Sequence, residues 1–304
     1  MSTNIIHIGL PKCGTTSLQK QTFPELAEFL GIKYLGSDEQ LVRQVRTAQR
    51  FTNNSFELNN STQGVFISDE GLQGNNPRFW VSNAEVICKY FDKTSTIFIT
   101  IREPQSLLAA LYYQFSIGQG TFVSEDYFFF TGPQHNATYP YCFDLSEFSY
   151  LRLIEIYRKK FDKVFVLKLE DMNNLNWISA FLKLDGNYSI SAMKRHVKTT
   201  NKRMSHNGVY FLRKLNGLLN SFGLQIKNRQ ISDEKKIIYG QHMRLGKEKC
   251  NNKLRIFPRR FLNPYYYAKK IPGRKFELSD KTRERLPIDQ LVEEYKMLNT
   301  GFIE

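Results

Sequence analysis

Ile5-Ile6-His7-Ile8-Gly9-Leu10-Pro11-Lys12-Cys13-Gly14-Thr15-Thr16-Ser17-Leu18 is the stretch on which the reading of this chain turns. A β-branched apolar run stops at Gly9, a tight loop carries Lys12, Gly14 and a cluster of hydroxyls, and a helical pattern follows from Leu18 to Leu30. Strand, small-residue loop and helix make the local geometry that cradles a phosphate. Amide N–H groups at the helix start point at the anion, and the helix dipole favours its charge. A turn alone needs neither the Lys nor the paired Thr.

Working outward, five segments read as strands: Asn4–Gly9, Ile32–Leu35, Gly64–Ser68, Ser95–Ile101 and Lys163–Leu169. The third and fourth are nearly continuous apolar runs, which suits strands of a parallel sheet buried on both faces. Helical patterns lie near Glu39–Phe51, Arg78–Phe91, Pro104–Phe115 and Leu145–Phe161. The alternation predicts an α/β three-layer fold with right-handed crossovers. Such sheets bind ligands at the carboxyl ends of their strands. The phosphate loop, Ser68-Asp69-Glu70 and Arg102 all leave strands there. Gly118–Cys142 reads as a long functional loop or lid. Val209–Leu219 and Ile288–Leu298 read as helices.

The chain has 304 residues, 41% of them hydrophobic, with 24 Phe and 16 Tyr, enough to fill a sizeable core. It reads as a single domain over residues 1–304, with an α/β nucleotide-binding core over 1–184 and a basic, mainly helical and loop extension over 185–304. No run of about 18–20 apolar residues suits a membrane span, and no signal peptide is read at the start. Cys13, Cys88, Cys142 and Cys250 are scattered, so neither a metal site nor a disulfide framework is expected, and reduced thiols in the cytoplasm are. The net charge is +14, which favours anionic partners. Between Arg244 and Lys275 eleven basic residues face one acid, Glu248, with Phe257, Phe261, Tyr265, Tyr266 and Tyr267 interleaved. That tail suits a peripheral contact with an anionic membrane.

The details of the loop decide the ligand. The ATP-binding loop G-x-x-x-x-G-K-[ST] needs a Lys after its second Gly. Gly9 and Gly14 have that spacing, but Thr15 stands in the Lys position and Lys12 precedes the second Gly. Pro11-Lys12-Cys13-Gly14-Thr15-Thr16-Ser17-Leu18 resembles instead the 5′-phosphosulfate loop of sulfotransferases that use 3′-phosphoadenosine 5′-phosphosulfate (PAPS), and the longer match from His7 to Gln19 looks most like their soluble bacterial, carbohydrate-type branch. The resemblance spans roughly Asn4 to Asn216. It implies a P-loop-type fold with a central five-stranded parallel sheet in the order 2-3-1-4-5. It implies sulfuryl transfer from PAPS to a hydroxyl acceptor, a glycan or glycolipid, with PAP as product, no metal and no nucleic-acid partner.

Sulfuryl transfer asks for in-line alignment, neutralisation of the leaving phosphate and removal of a proton from the acceptor. No Mg²⁺ clamp is evident, so a fixed cation must replace it, and Lys12 is the candidate. Pro11, Lys12, Cys13, Gly14, Thr15, Thr16 and Ser17 form the expected 5′-phosphosulfate cradle. Ile101-Arg102-Glu103-Pro104-Gln105-Ser106 puts a cation after a buried strand and a Pro at a helix start, a natural anion site. It resembles the family's 3′-phosphate motif, with Arg102 and Tyr112 in place. The family's Ser position holds Ala110, so the 3′-phosphate contact falls to Ser106 or another donor, or is weaker. Glu70 is the candidate general base, with Asp69, His7 and His135 as rivals. Lys202 and Arg203 resemble a basic segment that closes over the nucleotide. Two other functions fit parts of the chain: an ATP-dependent P-loop kinase, and a non-enzymatic polyanion-binding protein.

Overall fold

The computed structural model describes residues 4–50, 64–74, 79–114, 125–130, 143–145, 148–174, 176–183, 205–221, 267–268 and 270–303. Two compact units are present, one built from Met1–Leu107, Glu147–Thr200 and Pro287–Glu304, the other from Leu108–Ser146 and Asn201–Leu286.

The first unit holds an α/β sheet. Strands β1 (Ile5–His7), β2 (Lys33–Leu35), β3 (Val65–Ser68), β4 (Thr96–Ile101) and, further along the chain, Lys163–Lys168 are parallel. An antiparallel strand, Gly301–Phe302, pairs with the last of these through Phe165↔Phe302. In the second unit Phe129–Phe130 (β5) pairs with Phe143–Asp144 (β6), so the two remaining strands of the first unit are β7 (Lys163–Lys168) and β8 (Gly301–Phe302). The large sheet runs β2-β3-β1-β4-β7-β8. The expected five-stranded, all-parallel sheet is thus corrected to six strands and mixed pairing. A two-residue strand carries too little alternation to be read from sequence.

Side-chain alternation sorts the sheet into two faces. Ile5, Phe66, Phe98, Phe165 and Leu167 pack on one side with Leu18, Phe23, Leu26, Trp177, Ile178 and Phe181. Those partners come from the helical stretch after the 9–14 loop and from the helix Asn176–Leu182. The stretch begins with α1 (Thr15–Ser17), passes through a π-helical turn at Leu18–Thr22 and continues as α2 (Phe23–Phe29). The wide turn has a local cause: Pro24 lacks an N–H and its ring collides with a carbonyl one turn back. Phe23 N accordingly reaches back to Leu18 O.

Ile6, Ile67, Ile97 and Ile99, all buried, alternate to the other face. Next along the chain come α3 (Gln40–Arg50), α4 (Trp80–Tyr90), α5 (Pro104–Tyr112), α6 (Glu125–Phe128), α7 (Tyr150–Arg158) and α8 (Asn176–Leu182). α7 packs on β4 and β7 yet contributes nothing to the cluster around Phe98. The sheet therefore carries helices on both faces. α7 starts at Tyr150, later than the expected Leu145, because Ser149 is its cap and accepts from Arg152 N. The chain closes with α9 (His206–Ser221), α10 (Asp280–Arg285) and α11 (Ile288–Met297). α9 and α10 belong to the second unit, and α11 returns to the first.

His7 is a polar residue in the middle of this core. Its ring sits 2.7 Å from Ser68 Oγ and 3.3 Å from Thr100 Oγ1 and lies against Phe23 and Phe98. Full burial pulls its pKa down to about 3, so it is neutral and structural.

Phe98 touches the rings of His7, Phe23, Phe165, Trp177 and Phe181. Phe98→Ala is expected to cost about 3–5 kcal/mol of unfolding free energy, read as a lowered midpoint in urea denaturation.

Candidate functional site

The loop after β1 is held in an unusual backbone. Lys12 has φ 69° and Gly14 φ 78°. Gly14 accepts this freely, and a Cβ there would stand 2.5 Å from Leu169 Cδ1 and 3.0 Å from Met172 Sδ. For Lys12 the left-handed region is costly, on the order of 1 kcal/mol or more, and persists only where the surroundings over-determine it. Those surroundings are visible. Cys13 N donates to Leu10 O at 3.3 Å and Arg102 Nη1 donates to Lys12 O at 2.9 Å. Arg102 is itself fixed, because Tyr150 Oη donates to its carbonyl at 2.5 Å. Tyr150 N and Ser149 Oγ in turn donate to Glu294 Oε2 of α11 at 3.0 and 2.8 Å. A line of hydrogen bonds thus runs from α11 through α7 and β4 to the loop.

The helix that leaves the loop starts without a capping side chain, since its N-cap is Gly14. Ser17 N donates to Gly14 O at 3.1 Å and closes this first turn. Thr15 is buried, and among the described residues its Oγ1 has no hydrogen-bond partner. An unpaired buried hydroxyl is costly, and it lies in the residue that flanks the second Gly. Pro11, Cys13 and Ser17 are buried and Lys12, Gly14 and Thr16 half-buried. Burial pushes the Cys13 thiol far up, so it is not a nucleophile.

Beside the loop, β3 ends in Ser68, and Asp69 N continues its ladder to His7 O at 3.4 Å. Asp69 is spoken for: Oδ2 pairs with Arg46 of α3 at 2.9 Å and Oδ1 accepts from Gly71 N. Glu70 is different. Burial raises its pKa to about 7, against the opposing pull of Lys12 and with a further push from Asp69. The second glutamate at this edge is Glu170, in the 3-10 turn Leu169–Asn173 after β7. Its carboxylate accepts from Tyr295 Oη and lies in the electrostatic surroundings of Cys13 with Arg102 and Glu70. Sequence reasoning passed over it, although Leu169-Glu170-Asp171 leaves its strand as Ser68-Asp69-Glu70 does.

On the β4 side the expected anion site at the start of α5 is filled from within. Glu103 accepts Gln105 N at 2.9 Å through Oε1 and Ser106 N at 2.7 Å through Oε2. A carboxylate directly before Pro104 caps the helix, and a phosphate would meet it there. Ala110 is buried, and in the second unit Tyr112 accepts from Arg213 Nη2 and packs against Phe276 and Phe128. Lys202, Arg203 and His135 lie outside the described residues. Among the described residues no cluster of His, Cys, Asp or Glu could hold a metal.

Lys12, the 14–17 helix start, Glu70 and Arg102 therefore share one edge of the first unit's sheet. Glu70 makes a prediction on stability. Its folded pKa lies above its ordinary value of 4.5, so between 4.5 and about 7 the folded state binds the extra proton. Unfolding free energy is expected to fall as pH rises through that window, by up to about 3 kcal/mol. Glu70→Gln should flatten that fall in urea titrations run at a series of pH values.

Compared with known proteins, the chain matches no family model, and no curated protein matches it.

Proposed function

We propose that this protein is a PAPS-dependent sulfotransferase acting on a hydroxyl acceptor, a glycan or glycolipid. The observation that carries the reading is the placement of Lys12. It precedes the second Gly of the loop, on a backbone bent into the left-handed region, and it exerts its field on the raised carboxyl of Glu70. An ATP-dependent P-loop enzyme needs its Lys where Thr15 stands, and no observation at the site favours that alternative.

The residues present fit a phosphosulfate. The orphaned Thr15 Oγ1 and the helix start without a side-chain cap each suit a phosphate oxygen. When bound, PAPS supplies an activated sulfuryl group and a phosphate that leaves with the electrons of the broken S–O bond. Lys12 then neutralises the charge gathering on that phosphate, and Thr15, Thr16 and Ser17 hold its oxygens. Glu70 takes the proton of the acceptor hydroxyl as that oxygen bonds to sulfur. A carboxyl with a pKa near 7 is well matched to this work. Asp69, tied to Arg46 and Gly71 N, positions the turn instead.

Arg102 has a double assignment. One guanidinium nitrogen holds the Lys12 carbonyl, and its remaining donors suit the 3′-phosphate. Because Glu103 already takes the amides of Gln105 and Ser106, that phosphate relies on side chains, with Ser106 Oγ as the proposed one beside Arg102. The likeness of the sheet to P-loop proteins belongs to this same proposal.

Three measurements test it together. PAP should raise the melting temperature more than ATP does with Mg²⁺. Lys12→Ala should lower sulfate transfer by about 10²–10³-fold while its circular dichroism stays that of the parent. The transfer rate should rise with pH through an apparent pKa near 7, and Glu70→Gln should lose that limb. Stabilisation by Mg-ATP alone would favour a kinase, and polyanion binding that ignores Lys12→Ala and collapses with salt would favour a binding protein.

A further inference from the structure

The second unit carries an outward face that the proposed chemistry does not use. α9 buries Gly208, Val209 and Leu212 and exposes Asn207, Tyr210, Phe211, Lys214 and Leu218. The exposed positions follow the helical repeat and form one stripe. Tyr210 is 56%, Phe211 38% and Leu218 58% exposed. Single exposed apolar residues such as Phe29 are ordinary, whereas a continuous stripe is not. Lys214 Nζ lies 5.5 Å from the centre of the Tyr210 ring, so a cation sits within the stripe.

The stripe ends in a basic loop. Asn207, the first residue of the stripe, donates from Nδ2 to Pro272 O at 2.9 Å. His206 N donates to Arg274 O at 2.8 Å, Ser205 Oγ donates to Ile271 O at 2.6 Å, and Ser205 bridges Lys275. These bonds fix the exposed cations Lys270, Arg274 and Lys275 at the N-terminal end of α9. Acids are missing from this part of the sequence: none occurs between Lys249 and Phe276.

We infer that α9 and the 270–275 loop form a docking surface for an anionic lipid bilayer. Aromatic rings and a leucine enter the boundary between headgroups and acyl chains, and Lys214, Lys270, Arg274 and Lys275 meet the lipid phosphates. Charge complementarity selects this occupant. A second copy on the same face would set like cations against each other. A single-stranded nucleic acid would use the rings and the cations but gives Leu218 no role.

The test is co-sedimentation of the full chain with vesicles of phosphatidylcholine alone or with about one-third phosphatidylglycerol, a composition that carries a negative surface potential. Binding is expected to the anionic vesicles only. The Y210S/F211S/L218S variant should partition at least about tenfold more weakly, and K214Q/R274Q/K275Q should lose affinity to a similar degree and lose its salt dependence. A second readout does not depend on the triple variant folding: Phe211→Trp should shift its emission to the blue on anionic vesicles. Unshifted emission, parental binding by the apolar variant, equal binding to neutral vesicles, stripe-dependent binding to an oligonucleotide that exceeds vesicle binding, or a dimer that the apolar variant dissolves would each overturn the inference.

Discussion

The hydrogen bond from Arg102 Nη1 to the Lys12 carbonyl is the constraint on which the site rests. A left-handed lysine relaxes unless its carbonyl is held. If Lys12 relaxed, the amides after Gly14 would turn away and the ammonium would leave the neighbourhood of Glu70. The guanidinium is suited to this task because it is planar, charged at every relevant pH and rich in donors. Its anchorage is remote: Tyr150 fixes the Arg102 carbonyl, and Glu294 fixes the first turn of α7. Charge and backbone geometry at the loop are therefore set by groups on β4, α7 and α11 that need not touch a ligand.

The polar edge works because the layer beneath it is apolar and tightly interlocked. Phe98 and its ring partners fix β1 against β4, and the His7–Ser68–Thr100 contacts tie three adjacent strands where the loops depart. Full burial keeps His7 neutral, so it adds no charge to the edge. Three carboxylates near the loop then differ through their surroundings alone. Asp69 is paired with an arginine, Glu170 accepts a hydrogen bond from Tyr295, and Glu70 is buried, which raises its pKa against the pull of Lys12.

Much of the first unit was legible in the sequence because its signals are local. The apolar runs at 65–67 and 97–101 mark strands, and Gly9 with Gly14 marks the loop. The carboxyl-end rule then brings Lys12, Glu70 and Arg102 to one edge. What escaped was set by distant residues. Nothing near Lys12 announces its backbone conformation, which depends on an arginine ninety residues on. Glu103 read as part of an anion site, while the fold uses it to cap α5. Leu145–Ser149 carries an apolar pattern that the Ser149 cap cuts short. β8 has two residues and exists only because β7 offers it an edge.

The course of the chain has a bearing on how the protein is made. The first unit is assembled from three separated segments, the last being Pro287–Glu304. Glu294, which accepts from Ser149 Oγ and Tyr150 N at the start of α7, and Phe302, the partner of Phe165, both lie in that last segment. During synthesis β7 must wait with a bare edge, and α7 without the carboxylate that accepts from its first turn, until more than a hundred further residues have emerged. An unpaired edge on a half-finished sheet is the kind of surface that chaperones hold and aggregates recruit. The nascent chain is therefore most vulnerable after β7 is made, and the sheet closes only once Gly301–Phe302 has emerged.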